Sequence, residues 1–239
     1  MPSHALTHAL TRPTRRARLQ QLAALGLLGP AGISGLIRDA LAKGDAPVVK
    51  GINSLSGSAT VNGIAAKAGT LVKPGDKVST NRDSTVVIVI GKDGFLLRDN
   101  TSVTFEQSKS NPGIVQGVLV TTGKVLAVFA TRTDEEFVIK VPNATIGVRG
   151  TGCYIEAGTT RTYFCLCYGV AAIGGVGMSE PKILKTTHHE NPVWLDDRDG
   201  IIKVEKAGFV NHNDDELIML EKLNGREPPF VALGLTGRY

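Results

Sequence analysis

Residues 141–170 read VPNATIGVRGTGCYIEAGTTRTYFCLCYGV, and the fold is decided by how this stretch is read. Pro142 and the glycines Gly147, Gly150 and Gly152 punctuate a β-branched and aromatic run, which favours short strands and close backbone approach over helix. Ala157 to Arg161, AGTTR, then separates two strand-like runs, Thr151 to Glu156 and Thr162 to Tyr168, as a hairpin turn would. Side chains alternate along a strand, so Cys165 and Cys167 project from one face while Phe164 and Leu166 project from the other. The CxC therefore presents two thiols side by side.

Outward from this hairpin, short apolar runs recur with turn signals between them. They include Ser58 to Val61, Thr70 to Val72, Lys77 to Thr80, Thr85 to Ile90, Phe95 to Leu97, Val103 to Phe105, Val115 to Thr121, Lys124 to Phe129 and Phe137 to Val141. Strands of this length and spacing predict a mainly β fold, a sandwich, jelly roll or coiled stack of β-layers. Near the C-terminus the period changes. Residues 213–224, NDDELIMLEKLN, predict a short amphipathic helix, with Asn213 or Asp214 as N-cap and Gly225 as its stop. Arg226 to Tyr239 is read as an extended strap.

The N-terminal region is read as an export signal. Thr14 to Gln20, TRRARLQ, precedes a Gly- and Ala-rich apolar segment from Leu22 to Ile37, and Ala40 to Ala42 offer an AxA-type cleavage site. Arg15, Arg16 and Leu19 resemble a twin-arginine motif, although Arg18 and Gln20 depart from it. Pro30 and the many small residues make the segment a poor membrane span. Cleavage near Ala42 leaves 197 residues with a net charge of +1, against +5 for the whole chain, so the basicity belongs to the signal. No nucleic-acid footprint remains. Residues 43–185 are assigned to the β-domain and 186–239 to a loop, the short helix and the strap.

Gly57 to Phe105, Val118 to Phe129, Val141 to Glu156 and Arg161 to Val170 together resemble the FecR domain, an exported all-β module. The most specific parts are Pro74 to Thr80, PGDKVST, and Val148 to Thr151, VRGT. The resemblance spans roughly Val48 to Ile173. It implies a stand-alone exported member, because the basic n-region before the apolar segment has no amphipathic helix to act as an anti-sigma segment. It also places Phe164 and Leu166 inward with Ile155. Directly paired positions of the hairpin then sum to an odd number, which puts Cys153 on the face opposite Cys165 and Cys167. Cys153 is accordingly read as a small buried hydrophobe.

Cys165 and Cys167 depart from the apolar alternation of the family's final strand. Downstream, TTHHENP supplies His188 and His189, and His212 precedes the helix. Cys165, Cys167, His188 and His189 form a candidate metal set, since thiolate and imidazole suit zinc, copper or iron. A disulfide with one spare thiol, and unrelated buried thiols, remain open beside it. Enzyme signatures are absent: there is no GxSxG, Walker loop, HExxH or strand-linked GxGxxG. The expected function is a non-enzymatic periplasmic module that binds or senses a ligand or an envelope protein. The alternatives are a metal- or cofactor-binding periplasmic protein and a structural subunit of an envelope complex, with membrane contact only through the signal if it stays uncleaved.

Overall fold

The structure is a computed structural model that describes residues 34–37, 48–132, 136–198 and 200–237. The export-signal reading rests on residues of which only the helical turn 34–37 is described, so it lies outside the described residues. Among the described residues no helix is long and apolar enough to cross a membrane.

Among the described residues fourteen strands join one mixed sheet: β1 (Gly51–Ser56), β2 (Ala59–Val61), β3 (Ile64–Ala65), β4 (Lys77–Thr80), β5 (Thr85–Ile90), β6 (Asp93–Leu97), β7 (Ser102–Gln107), β8 (Val115–Val128), β9 (Phe137–Val141), β10 (Ala144–Ala157), β11 (Arg161–Gly174), β12 (Lys182–Thr186), β13 (Val193–Arg198) and β14 (Ile201–Lys206). The main path runs β14-β13-β11-β10-β9-β8-β7-β4-β2-β3, while β1, β5 and β6 branch from β8. The protein is mainly β, with helix α1 (Asp214–Lys222) and the single turn α2 (Pro229–Ala232) after the last strand.

Long strands make the corners. The first half of β8 pairs with β7 and β9, and its second half with β6 and β10. The change of partner falls at Gly123, whose φ is +95° and whose missing Cβ would lie 2.4 Å from Thr101 Cα. What sequence divides into Val115–Thr121 and Lys124–Phe129 is thus one strand with a glycine bend. Gly123→Ala should lose about 3 kcal/mol through positive φ and backbone contact. A denaturant midpoint equal to wild type would remove the bend as the reason for the glycine.

Two cores lie on opposite faces of this sheet. Val86, Ile88, Phe95, Leu97, Val125, Ala127, Cys153, Ile155, Phe164 and Leu166 join the larger one. Their neighbours Val87, Val89, Leu96, Leu126, Val128, Tyr154, Tyr163, Cys165 and Cys167 join the smaller, beneath α1. Burial on both faces explains why β5, TVVIVI, reads as a continuous apolar run. The hairpin register pairs Cys153 with Leu166 and Tyr154 with Cys165, the odd sum, and Cys153 packs as a buried hydrophobe.

Some expectations are corrected. Thr70–Val72 is not a strand; it lies beside β1, where the Ile52 N–H donates to Thr70 O. Arg226–Tyr239 is not wholly extended, because Pro229 opens α2, a position where its missing N–H costs nothing. The sheet also continues past residue 185, since β13 and β14 pair from Val193↔Lys206 to Arg198↔Ile201.

Candidate functional site

The CxC sits at a gap in the sheet. One edge of β11 carries β13 against Arg161–Phe164 and β12 against Gly169–Ile173, which leaves residues 165–168 facing the loop between those two strands. That loop holds His188 and His189. The His189 N–H donates to Cys167 O at 3.0 Å, continuing the ladder across the gap. His189 adopts φ +54°, a left-handed conformation uncommon outside glycine, and the turn is held by the Thr187 and His188 N–H groups donating to the Glu190 carboxylate.

Beyond β14 the chain returns over the same face and brings His212 against Tyr154, whose ring stacks on the imidazole at 4.5 Å. Cys165, Cys167, His189 and His212 are all buried, and their ligand atoms lie within 4.8 Å of one another. Cys165 Sγ is 3.6 Å from His189 Nδ1, Cys167 Sγ is 3.4 Å from His212 Nε2, and the two imidazole nitrogens are 3.2 Å apart. Of the residues singled out in the sequence, Cys165, Cys167 and His189 converge, and His212 completes the group. His188 turns aside: its Nε2 lies 3.0 and 3.1 Å from the two oxygens of Asp214.

The outer nitrogens fix the inner ones. His212 Nδ1 is 2.7 Å from Val210 O, a carbonyl that only accepts, so this nitrogen carries the hydrogen. His189 Nε2 is 3.1 Å from Asp214 Oδ1, which likewise calls for a donor. In the neutral rings, His189 Nδ1 and His212 Nε2 then aim lone pairs at each other. Two acceptors 3.2 Å apart repel unless a proton or a metal cation lies between them. Asp214 also accepts from the Gly237 N–H at 2.9 Å. A carboxylate behind a ligating imidazole is the usual outer support of a metal-bound histidine.

The thiols are unlike. The hydrogen bond from Cys167, helped by His189 and His212, holds the Cys165 thiol down at about 4 against the opposing effect of burial. Burial, together with its bond to Cys165, pushes Cys167 well above the ordinary thiol range. Cys153, on the far face, is pushed up by burial. None of the three cysteines is in a disulfide.

The fold and this buried cluster define a mainly β protein with a sulfur–imidazole site on its outer sheet face. The family model for FecR protein matches residues 76–170, so this stretch of the chain is similar to the FecR domain. The matched stretch holds all three cysteines and ends before His188, His189, His212 and Asp214. No curated protein matches the chain. Two crystal structures of a candidate anti-sigma factor from Parabacteroides distasonis, at 2.50 and 1.65 Å, are similar to it with 11% identity and a TM-score of 0.45. The alignments cover 54% of this chain and 59% of theirs, so this chain spans about three fifths of their length.

Proposed function

We propose that this chain is an exported FecR-domain binding and sensing module of the cell envelope, which holds one transition-metal ion between Cys165, Cys167, His189 and His212. The observation that carries the reading is the pair of imidazole lone pairs facing each other beside two thiols. A tetrahedral zinc site with ordinary bond lengths has sulfur–nitrogen edges of about 3.6 Å and a nitrogen–nitrogen edge of about 3.3 Å. The distances here are 3.6, 3.4 and 3.2 Å. Two thiolates would neutralise a divalent ion, which suits a buried site. Copper and iron share these donors, and zinc fits the tetrahedral spacing best.

Four protein ligands leave a tetrahedral ion no open position, the pattern of a structural rather than a catalytic centre. Cys165, His189 and Asp214 also stand in the order of nucleophile, base and orienting carboxylate. Cys165, however, has no exposed surface, and a reactive thiol needs access. The site is therefore read as non-enzymatic.

Elemental analysis of protein isolated from its own cell envelope should find about one metal ion per chain, and a preparation with reduced thiols but no stoichiometric metal would sink the reading. Affinity should also depend on pH. Metal must displace the proton of Cys167, so between about pH 4, where Cys165 ionises, and the raised Cys167 value, affinity should rise at least about tenfold per pH unit. Competition titrations at three pH values test this; a flat profile would exclude the thiol pair as ligands.

A further inference from the structure

The site's ligands come from three separate parts of the chain. Cys165 and Cys167 belong to β11, His189 to the loop after β12, and His212 to the segment that follows β14. Asp214, on the first turn of α1, binds both loop histidines and also the Gly237 N–H, so it gathers the loop, the helix and residue 237 at one carboxylate. From these links we propose that the metal is a latch: its occupancy holds residues 207–237 down on the outer face of the sheet. This rests on the metal reading above.

What the segment covers is apolar. Leu217, Met219, Leu220, Leu223 and Phe230 bury themselves against Val87, Val89, Leu96, Leu126 and Val128. Phe230 also lies against Tyr168, with ring centroids 5.9 Å apart, and against His188 at 4.6 Å. The middle of the segment has anchors of its own, since Glu221 accepts from Tyr168 and from Arg226, and Arg226 donates to Lys92 O. The two ends also meet the site. Residues 209–213 reach it through His212, beside the bonds from Arg98 to Asn211 O and from Asn211 to Glu156, and Gly237 reaches it through Asp214. Without metal, the facing imidazoles are joined only by a proton, and this connection weakens. The ends should loosen first, while the helix holds longer by its apolar contacts.

Hydrogen exchange on the full chain tests the latch without mutation, with zinc as the probe. Peptides covering 207–216 and 233–237 should exchange at least about tenfold faster after chelator stripping than in zinc-loaded protein. Re-adding zinc should restore protection, and peptides from β5 and β8 should change little. Unchanged exchange at both ends, with elemental analysis showing zinc falling from one per chain to none, would overturn the latch and leave the metal site standing. A protein that takes up no zinc would overturn both.

Discussion

Stripping zinc from the loaded protein is expected to lower its thermal midpoint by roughly 10 °C, and Cys167→Ser should melt at that lower temperature whether or not zinc is present. A ligand that binds only the folded state stabilises it by about 4.1 kcal/mol when its free concentration is a thousand times Kd. For a domain of this size each kcal/mol is worth roughly 2–4 °C. Serine keeps the volume of Cys167 but not a thiolate, so the variant loses a ligand with little change in packing. Cys153→Ser supplies the control. It lies in the other core, on the opposite face of β10, so it should cost some packing energy and leave the response to zinc intact. A Cys167→Ser protein stabilised by zinc as strongly as wild type would show that the ion sits elsewhere.

The contrast between these two cysteines was legible in the sequence. One alternation rule, with the hairpin register that the FecR resemblance implies, placed Cys153 on the opposite face from Cys165 and Cys167, and the observed pairs agree. Strands β4, β5 and β9 fall where their apolar runs and turn residues put them, and α1 starts at the Asn213 cap. The family model falls within the stretch that resembled the FecR domain. Local chemistry fixes such features, so local sequence reports them.

The rest depends on contacts between distant residues. His188 and His189 are equivalent by spacing, and only the left-handed backbone at His189 and its bond to Cys167 O decide which ring faces the thiols. His212 stands 45 residues from Cys167, and β13 and β14 must fold between them before the two can meet. The hairpin β13–β14 did carry a local signal, an Asp-Gly pair between VWLDDR and IIKV, which is a strong two-residue turn motif. Asp214 offered none, because an acid in a helix first turn is ordinarily a partner for the backbone N–H groups.

Glu216→Ala should destabilise the protein by about 3–5 kcal/mol, the usual cost of breaking a buried ion pair. Glu216 is 1% exposed and accepts from Arg98 Nη2 at 2.8 and 3.0 Å, while Arg98 is 19% exposed. Its carboxylate also accepts from the Asn213 N–H, and its own N–H donates to the Asn213 side chain, both at 3.1 Å, so it closes the capping box of α1. Arg98 in turn donates to Asn211 O and lies over the Tyr154 ring that stacks on His212. Removing the carboxylate therefore leaves a half-hidden guanidinium without its charge partner and loosens the backbone on both sides of His212. Glutamine can still close the capping box, so Glu216→Gln should lose the charge alone and cost about 1–2 kcal/mol. Zinc affinity should fall at least about tenfold in Glu216→Ala and less in Glu216→Gln, because only the first frees the chain around a ligand. Thermal melts and zinc titrations of both variants decide the matter: an alanine variant that melts within about 2 °C of wild type would remove the Arg98–Glu216 pair as the anchor of His212.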